Sequence, residues 1–337
     1  MMQTKRVTFL DSMRGFAAAW VVVYHLNEEG KFTPGAYQAF VEAGSLGVPI
    51  FFVLSGFSIH ASLLKSPEVS AFLWKRFWRI YPPYLASLAV VLVVLIVRKI
   101  ATGTNDLTTI PHDPLGWFET IMLTTKPVTW TVPINPVYWT FSYEAAFYLW
   151  LTLGLMFPRL RWPLLFAPLV LSNAWSARPD FFVGYWCLFA LGVAIAEWRH
   201  EGKILAPALA VLCLTDALLH RTFGETMAGL AAFALIIMAL SNRFAWLNRE
   251  PILHRVGHWS YSLYLVHVPI GVWIALSFDP RPRVLSANSV WLHWSIDGFA
   301  LLLSCVFAWA FARLIERPSI MIAHTTPSWP WIYWRAR

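Results

Sequence analysis

Apolar stretches of about twenty residues recur along this chain, and that repetition constrains its fold more than any other feature. In a bilayer core no water satisfies backbone N–H and C=O groups, so a spanning segment is either a helix or a strand of a closed barrel. About twenty residues at 1.5 Å each cross roughly 30 Å of hydrocarbon as a helix. About ten such stretches lie near residues 8–26, 45–64, 80–97, 138–157, 162–176, 181–197, 204–220, 223–241, 256–277 and 290–314. The expected fold is all-α: a polytopic integral membrane protein of about ten transmembrane helices, one membrane domain over residues 1–337. Composition agrees, because only 13% of the residues are charged, against about 25% in a soluble domain.

Lysine and arginine set the orientation. With the N-terminus placed in the cytoplasm, the inside segments carry 17 Lys and Arg and the outside segments 8. The cytoplasmic excess predicts that both termini are inside. The net charge of +8 is scattered between apolar spans, which reads as this loop bias and not as a nucleic-acid surface. Cys187, Cys213 and Cys305 fall in apolar spans with no metal-ligand spacing, so neither a metal nor a disulfide framework is expected.

The first span holds Asp11, Arg14 and His25 in VTFLDSMRGFAAAWVVVYHL. Ionisable groups at membrane depth are costly and usually mark a pathway or an active site. On a helix, Arg14 and His25 lie within about 20° of one face and about 16 Å apart along the axis. Asp11 stands one turn before Arg14 and is expected to pair with it. Arg76 and Arg79 form an R-x-x-R pair on one helix face, suited to phosphate groups or, more simply, to lipid head groups. Val69–Trp78, with Trp74, Phe77 and Trp78 beside Lys75 and Arg76, reads as an interfacial helix.

Glu144 lies six residues into the fourth span and is expected to meet His25, orienting its imidazole, or to serve a buried donor elsewhere. In the ninth span, Ser260, Tyr264 and His267 share a face, with Tyr261 beside them. Three polar groups on one face predict a wet cavity. Gly47–Phe57 is expected to pack tightly on the first span. Glu316-Arg317-Pro318 reads as a cytoplasmic ion pair and helix stop, and the long loop near 98–137 as an outer, re-entrant or interfacial piece.

Taken in order, the segments FLDSMRGFAAAWVVVYH, GVPIFFVLSGF, KRFWRIYPPY, YWTFSYEAAFYL, SYSLYLVH and IERP resemble membrane acyltransferase family 3. The resemblance runs from residue 9 to residue 318. It implies ten helices that carry an acyl group from cytoplasmic acyl-CoA to an acceptor outside. It implies a catalytic role for His25 with Glu144 in support, and acyl-CoA handling by Arg14, Arg76 and Arg79. The family's fourth-span motif has a second acidic residue where this chain has Ala145, and Leu-Ser-Val where it has Phe141-Ser142-Tyr143. No fused SGNH domain is expected, so the chain either completes the transfer or hands on to a partner acyl-acceptor protein.

The activity so implied is O-acyl transfer, acetyl by default, in the bacterial inner membrane. The donor substrate is acyl-CoA, with no permanently bound cofactor, and the acceptor a glycan or lipid-linked glycan. His25 acts as general base or forms a covalent acyl-histidine. A transporter or flippase using the intramembrane charges is the rival reading, and it predicts broken helices in repeated halves; the sequence shows no internal repeat.

Overall fold

The computed structural model describes residues 8–27, 36–65, 67–103, 109–174, 182–241, 251–274 and 289–325. Among these every regular element is helical. The helices are α1 (Thr8–Asn27), α2 (Ala36–Glu42), α3 (Gly47–Lys65), α4 (Val69–Thr102), α5 (Pro114–Ile121), α6 (Trp139–Met156), α7 (Arg161–Ala174), α8 (Val183–Glu201), α9 (Leu205–His220), α10 (Phe223–Leu240), α11 (Pro251–Gly257), α12 (Ser260–Val266), α13 (Ser289–Phe311) and α14 (Arg317–His324). Within the described residues each expected span overlaps one helix or a run of helices, while residues 175, 176, 181 and 275–277 of those spans lie outside the described residues. Four stretches are long and apolar enough to cross a bilayer by length and composition: Ala36–Lys65, Val69–Thr102, Phe223–Leu240 and Trp294–His324. The remaining helices are shorter or carry charge, as α1 does with Asp11 and Arg14.

The apolar side chains divide by their neighbours. Val91, Val94 and Leu95 of α4 are buried, while Val93, Val97 and Ile100 are exposed, the pattern of a helix with one face on a bundle and one on hydrocarbon. At the centre, α3 and α8 approach to backbone contact. A Cβ on Gly56 would collide with the Phe189 carbonyl, and one on Gly192 with the Val53 carbonyl. Small residues at such a crossing replace the hydrophobic drive that lipid removes.

Two prolines decide local geometry by what they fail to donate. The expected interfacial helix at Val69–Trp78 and the third span form one helix, α4, because Pro82 and Pro83 sit within it without ending it. A helical proline leaves the carbonyl four residues earlier without its usual N–H. For Pro82 that carbonyl belongs to Trp78, and the Ser319 hydroxyl donates to it, docking α14 on α4. Pro269 repeats the device. It lies in a π-helical stretch, His267–Trp273, that continues α12, and the carbonyl it orphans, Leu265, accepts from the Asn135 amide at 3.2 Å.

The long loop folds back along the bundle. Asp113 caps α5, its Oδ1 accepting from the Gly116 N–H at 2.7 Å, with Pro114 in the first turn. From there the Thr120 and Ile121 carbonyls accept hydrogen bonds from the hydroxyls of Tyr84 and Tyr81, and the Leu123 carbonyl from Ser142. Tyr81 is two residues past Arg79 and about 26 Å along α4 from Arg98. The segment thus reaches the level of the R-x-x-R pair. The expected stop at Pro318 is absent: α13 continues through a π-helical turn, Ala312–Glu316, into α14, with Pro318 in the first turn of α14. Within this continuous run Pro318 has no N–H to give the preceding turn, and the π-helical turn just before it absorbs the missing bond.

Candidate active site

A cavity of about 330 Å³ opens between α1, α3, α4, α6 and α12. Its polar wall is Arg14, Ser55, Ser58, Ser62, Arg76, Arg79, Thr140, Glu144, Tyr148, Ser260, Tyr261 and Tyr264, and its apolar wall is built largely from Phe51, Phe52, Phe141 and Phe189. The residues singled out on four separate spans therefore converge. Twelve of its nineteen lining residues are polar, more than in the usual, mostly apolar ligand site, and its volume is at the small end of the range; such a wall suits a charged ligand.

The three arginines are held differently. Arg14 Nη1 donates to Asp11 Oδ1 at 3.3 Å, as the sequence spacing predicts, and its Nη2 donates to Ser58 Oγ at 2.7 Å. Arg76 lies over the rings of Phe72 and Tyr148, 5.5 Å from each centroid, and its buried Nε has no hydrogen-bond partner. Among the described residues Arg79 makes no hydrogen bond or ion pair of its own, but lies within electrostatic reach of Glu316 and Glu144.

Glu144 does not meet His25. Its carboxylate accepts from the Tyr148 hydroxyl one turn on and belongs electrostatically with Arg14 and Arg79. The reason lies in depth. Along α6 the α12 partners step backwards, Thr140 bonding the Tyr264 hydroxyl and Phe141 packing on Tyr261, so by Glu144 the helix has moved away from His267 and the His25 ring beside it.

His25 sits one layer behind the cavity. The Tyr264 ring lines the cavity and lies 5.8 Å from the His267 ring, which lies 5.3 Å from the His25 ring. His267 is fully buried. Its Nδ1 contacts the carbonyl oxygens of Leu263 and Tyr264 at 3.1 and 3.0 Å. Carbonyls only accept, so Nδ1 carries the proton and Nε2 keeps a lone pair; that Nε2 has no hydrogen-bond partner. The Leu263 carbonyl also accepts the His267 N–H, which closes the last α-turn before the π-helical stretch, the kind of local irregularity often found at functional sites.

Sequence reasoning missed four polar contributors. Ser58 holds Arg14, and Tyr148 joins Glu144 and Arg76. Glu316, expected in a cytoplasmic ion pair, is buried and accepts from Ser262 Oγ at 2.5 Å. Asp297 of α13 is buried where α1 ends, its Oδ2 accepting from Asn27 at 2.9 Å and from Tyr37 at 2.8 Å. The IERP segment was the one available signal for Glu316; a lone Asp in an apolar run, such as Asp297, is the same kind of signal as Asp11.

The family model described as an acyltransferase domain matches residues 7–313. The chain is 26% identical over 309 residues to the acyltransferase MdmB of Streptomyces mycarofaciens, covering 78% of each chain. It is 25% identical over 360 aligned positions to nodulation protein 10 of Rhizobium leguminosarum bv. viciae, covering 93% of each. A shorter match, 29% over 106 residues, covers 31% of this chain and 16% of a candidate O-acetyltransferase of Staphylococcus aureus (strain COL). No solved structure matches the chain with comparable significance. A family match over nearly the whole chain, on the same segments that build the cavity, makes this protein a membrane-embedded acyltransferase of family 3.

Proposed function

We propose that the enzyme moves an acetyl group from cytoplasmic acetyl-CoA to a hydroxyl of a cell-envelope or secreted glycan, across ten spans of a bacterial inner membrane with both termini inside. One observation carries the reading: Arg76 and Arg79 face the cavity one turn apart without accepting partners among the described residues. Each guanidinium offers five N–H donors in a planar fork that matches phosphate oxygens. Donors left open in a partly desolvated cavity are costly, and the phosphates of a CoA thioester would satisfy them. Arg14, already held by Asp11 and Ser58, borders the path from these arginines toward His25.

In this reading the thioester passes Tyr264 to reach His25. The acceptor hydroxyl loses its proton to the His25 imidazole as its oxygen attacks the thioester carbon. The C–S bond breaks, the ester forms, and the proton leaves on the CoA thiol. The unpaired lone pair on His267 Nε2, in the ring beside His25, would accept from a His25 N–H as the imidazole turns to its substrate, the task first expected of Glu144. Glu144 instead balances the arginines.

The test uses purified enzyme in nanodiscs with radiolabelled acetyl-CoA and a panel of envelope glycans. His25→Ala is expected to abolish glycan labelling and CoA release while the protein remains folded. Retained transfer in His25→Ala would remove His25 from the chemistry, and failure of wild type to turn over acetyl-CoA with any acceptor would overturn the donor assignment.

A further inference from the structure

Outside the cavity, the sharpest cluster of metal-ligating groups lies where α1 crosses α11. Asp11, His254 and His258 each offer one ligand atom, and the three atoms lie within 4.8 Å of one another. We propose that they form a binding site for a transition-metal dication of the zinc class, built beside the donor cavity. His254 and His258 stand one turn apart, four residues, at the end of α11, and their Nε2 atoms are 3.1 Å apart. Two imidazole nitrogens bound to one tetrahedral zinc at about 2.0–2.1 Å are separated by about 3.3 Å. A hydrogen bond between the rings would give a similar spacing, so the carboxylate beside them decides the matter. Asp11 Oδ2 lies 3.7 Å from His254 Nδ1, and that nitrogen is buried without a hydrogen bond. These two contacts, Nε2 to His258 and Nδ1 to Asp11, use opposite nitrogens of the His254 ring. One ion therefore takes His254 through a single nitrogen, and the three ligand atoms, within 4.8 Å of one another, close on it by side-chain rotation; two imidazoles and a carboxylate are a zinc ligand set of the open kind.

The crossing is rigid in a way that suits a site. A Cβ on Gly257 would strike the Asp11 carbonyl, and one on Gly15 the Leu253 carbonyl, so α1 and the end of α11 touch backbone to backbone. The ligands thus project from elements that cannot slide apart. The His-x-x-x-His spacing was present in the sequence at 254 and 258; attention to the cysteines alone passed it over. Access is graded: the Asp11 side chain is 8% exposed and His254 24%, and His258 lies open at the surface.

Occupancy would reach the cavity through one side chain. Asp11 Oδ1 accepts from Arg14 while Oδ2 faces His254. A dication on Oδ2 competes with the guanidinium for the carboxylate and loosens Arg14, so metal binding is expected to change the affinity for the acyl donor. That consequence, though not the site, rests on the donor assignment above.

The experiment is cobalt substitution of the full chain, purified on a histidine-free tag and kept in detergent. Co²⁺ titration is expected to give one equivalent of bound ion with visible absorption of low-symmetry coordination, displaced by Zn²⁺. His258→Ala, a change at an exposed side chain, is expected to weaken binding at least tenfold, and His254→Ala likewise. Absence of stoichiometric binding by wild type, or unchanged binding in His258→Ala, overturns the site. The spectrum needs no turnover, so an error about the acyl donor leaves this result standing. With the site established, an acetyl-CoA KM that Zn²⁺ shifts in wild type and not in His258→Ala supports the link through Arg14, and an unchanged KM overturns it.

Discussion

The Arg76 cavity and the cluster between α3, α7 and α8 both place charge inside the helix bundle, and they treat it in opposite ways. In the second cluster, charges alternate in sign from the interior outward. The His60 ring, 1% exposed, lies 2.6 Å from Glu197, which is wholly buried. Arg161 reaches Glu197 at 3.4 Å and Glu201 at 2.5 Å, and Lys203 closes on Glu201 at 2.7 Å. A cavity of about 380 Å³ adjoins it, but its lining is mostly leucine, proline and tryptophan around His60, Arg161 and His200. Here each ionisable group has an ion-pair partner within the protein, although His60 Nδ1 and one oxygen each of Glu197 and Glu201 make no hydrogen bond. Around Arg76 and Arg79 the donors face open space. A buried group already saturated by its neighbours ties helices together, whereas one left open is available to a ligand.

Breaking the saturated cluster has the largest expected effect. His60→Leu leaves Glu197 buried with only the more distant Arg161. Removing one member of a buried pair costs about 3–5 kcal/mol. We expect a marked fall in the melting temperature of purified protein, with KM for acetyl-CoA unchanged in the folded fraction. The double replacement His60→Leu/Glu197→Leu should recover much of the loss, because no carboxylate then remains to be compensated. A changed KM with unchanged melting in His60→Leu would erase the contrast and make this pair part of the site.

The open cavity should respond the other way. Arg76→Met keeps the aliphatic stem between Phe72 and Tyr148 and removes five donors. Hydrogen bonds to charged groups contribute about 1.5–3 kcal/mol, so KM for acetyl-CoA should rise roughly ten- to a hundredfold. Ligand-free melting should hold or rise, since an unsatisfied buried Nε is lost with the guanidinium. Steady-state kinetics and a melt on the same preparation check both halves. A drop in melting temperature at constant KM would show that Arg76 is a structural cation like Arg161.

Much of this contrast was legible before any coordinates. Hydropathy placed the helices because apolar length is a one-dimensional property. Arg14, Glu144, Tyr261 and Tyr264 stood out because ionisable and hydroxyl groups are expensive in hydrocarbon, and Arg76 and Arg79 because their R-x-x-R spacing puts two guanidinia on one helix face. What sequence could not supply was depth. Glu144 and His25 looked level when each span was assumed to run from one surface to the other; along α6 the α12 partners step from Tyr264 back to Tyr261, away from the His267 that neighbours His25. The same assumption split α4 at its prolines, although Ser319 supplies the partner that Pro82 withholds. Glu316 was read as a surface charge because Pro318 looked like a terminus. The His60–Glu197 pair was invisible for another reason: its members are 137 residues apart, and neither sits in a distinctive motif.

The smallest effect tests whether the outer end of the saturated cluster matters at all. Lys203 and then Arg161, by hydrogen bonding, hold the Glu201 carboxyl down to about 2, below its ordinary 4.5. A carboxyl whose folded pKa is depressed favours the folded state while it is ionised. Its contribution is therefore full above pH 4.5 and disappears as pH falls through about 2. Glu201 is partly exposed, its side chain 20% accessible at the end of α8, so the contribution is about 0.2–1 kcal/mol and shrinks with added salt. Glu201→Gln should thus melt slightly below wild type at neutral pH, and the two curves should merge between pH 4.5 and 2. The His60→Leu deficit at neutral pH, by contrast, should survive high salt, because buried charges are poorly screened. If Glu201→Gln cost as much as His60→Leu at neutral pH, stability would reside at the rim of the cluster, and burial would no longer explain why one charged region is a tie and the other a binding place.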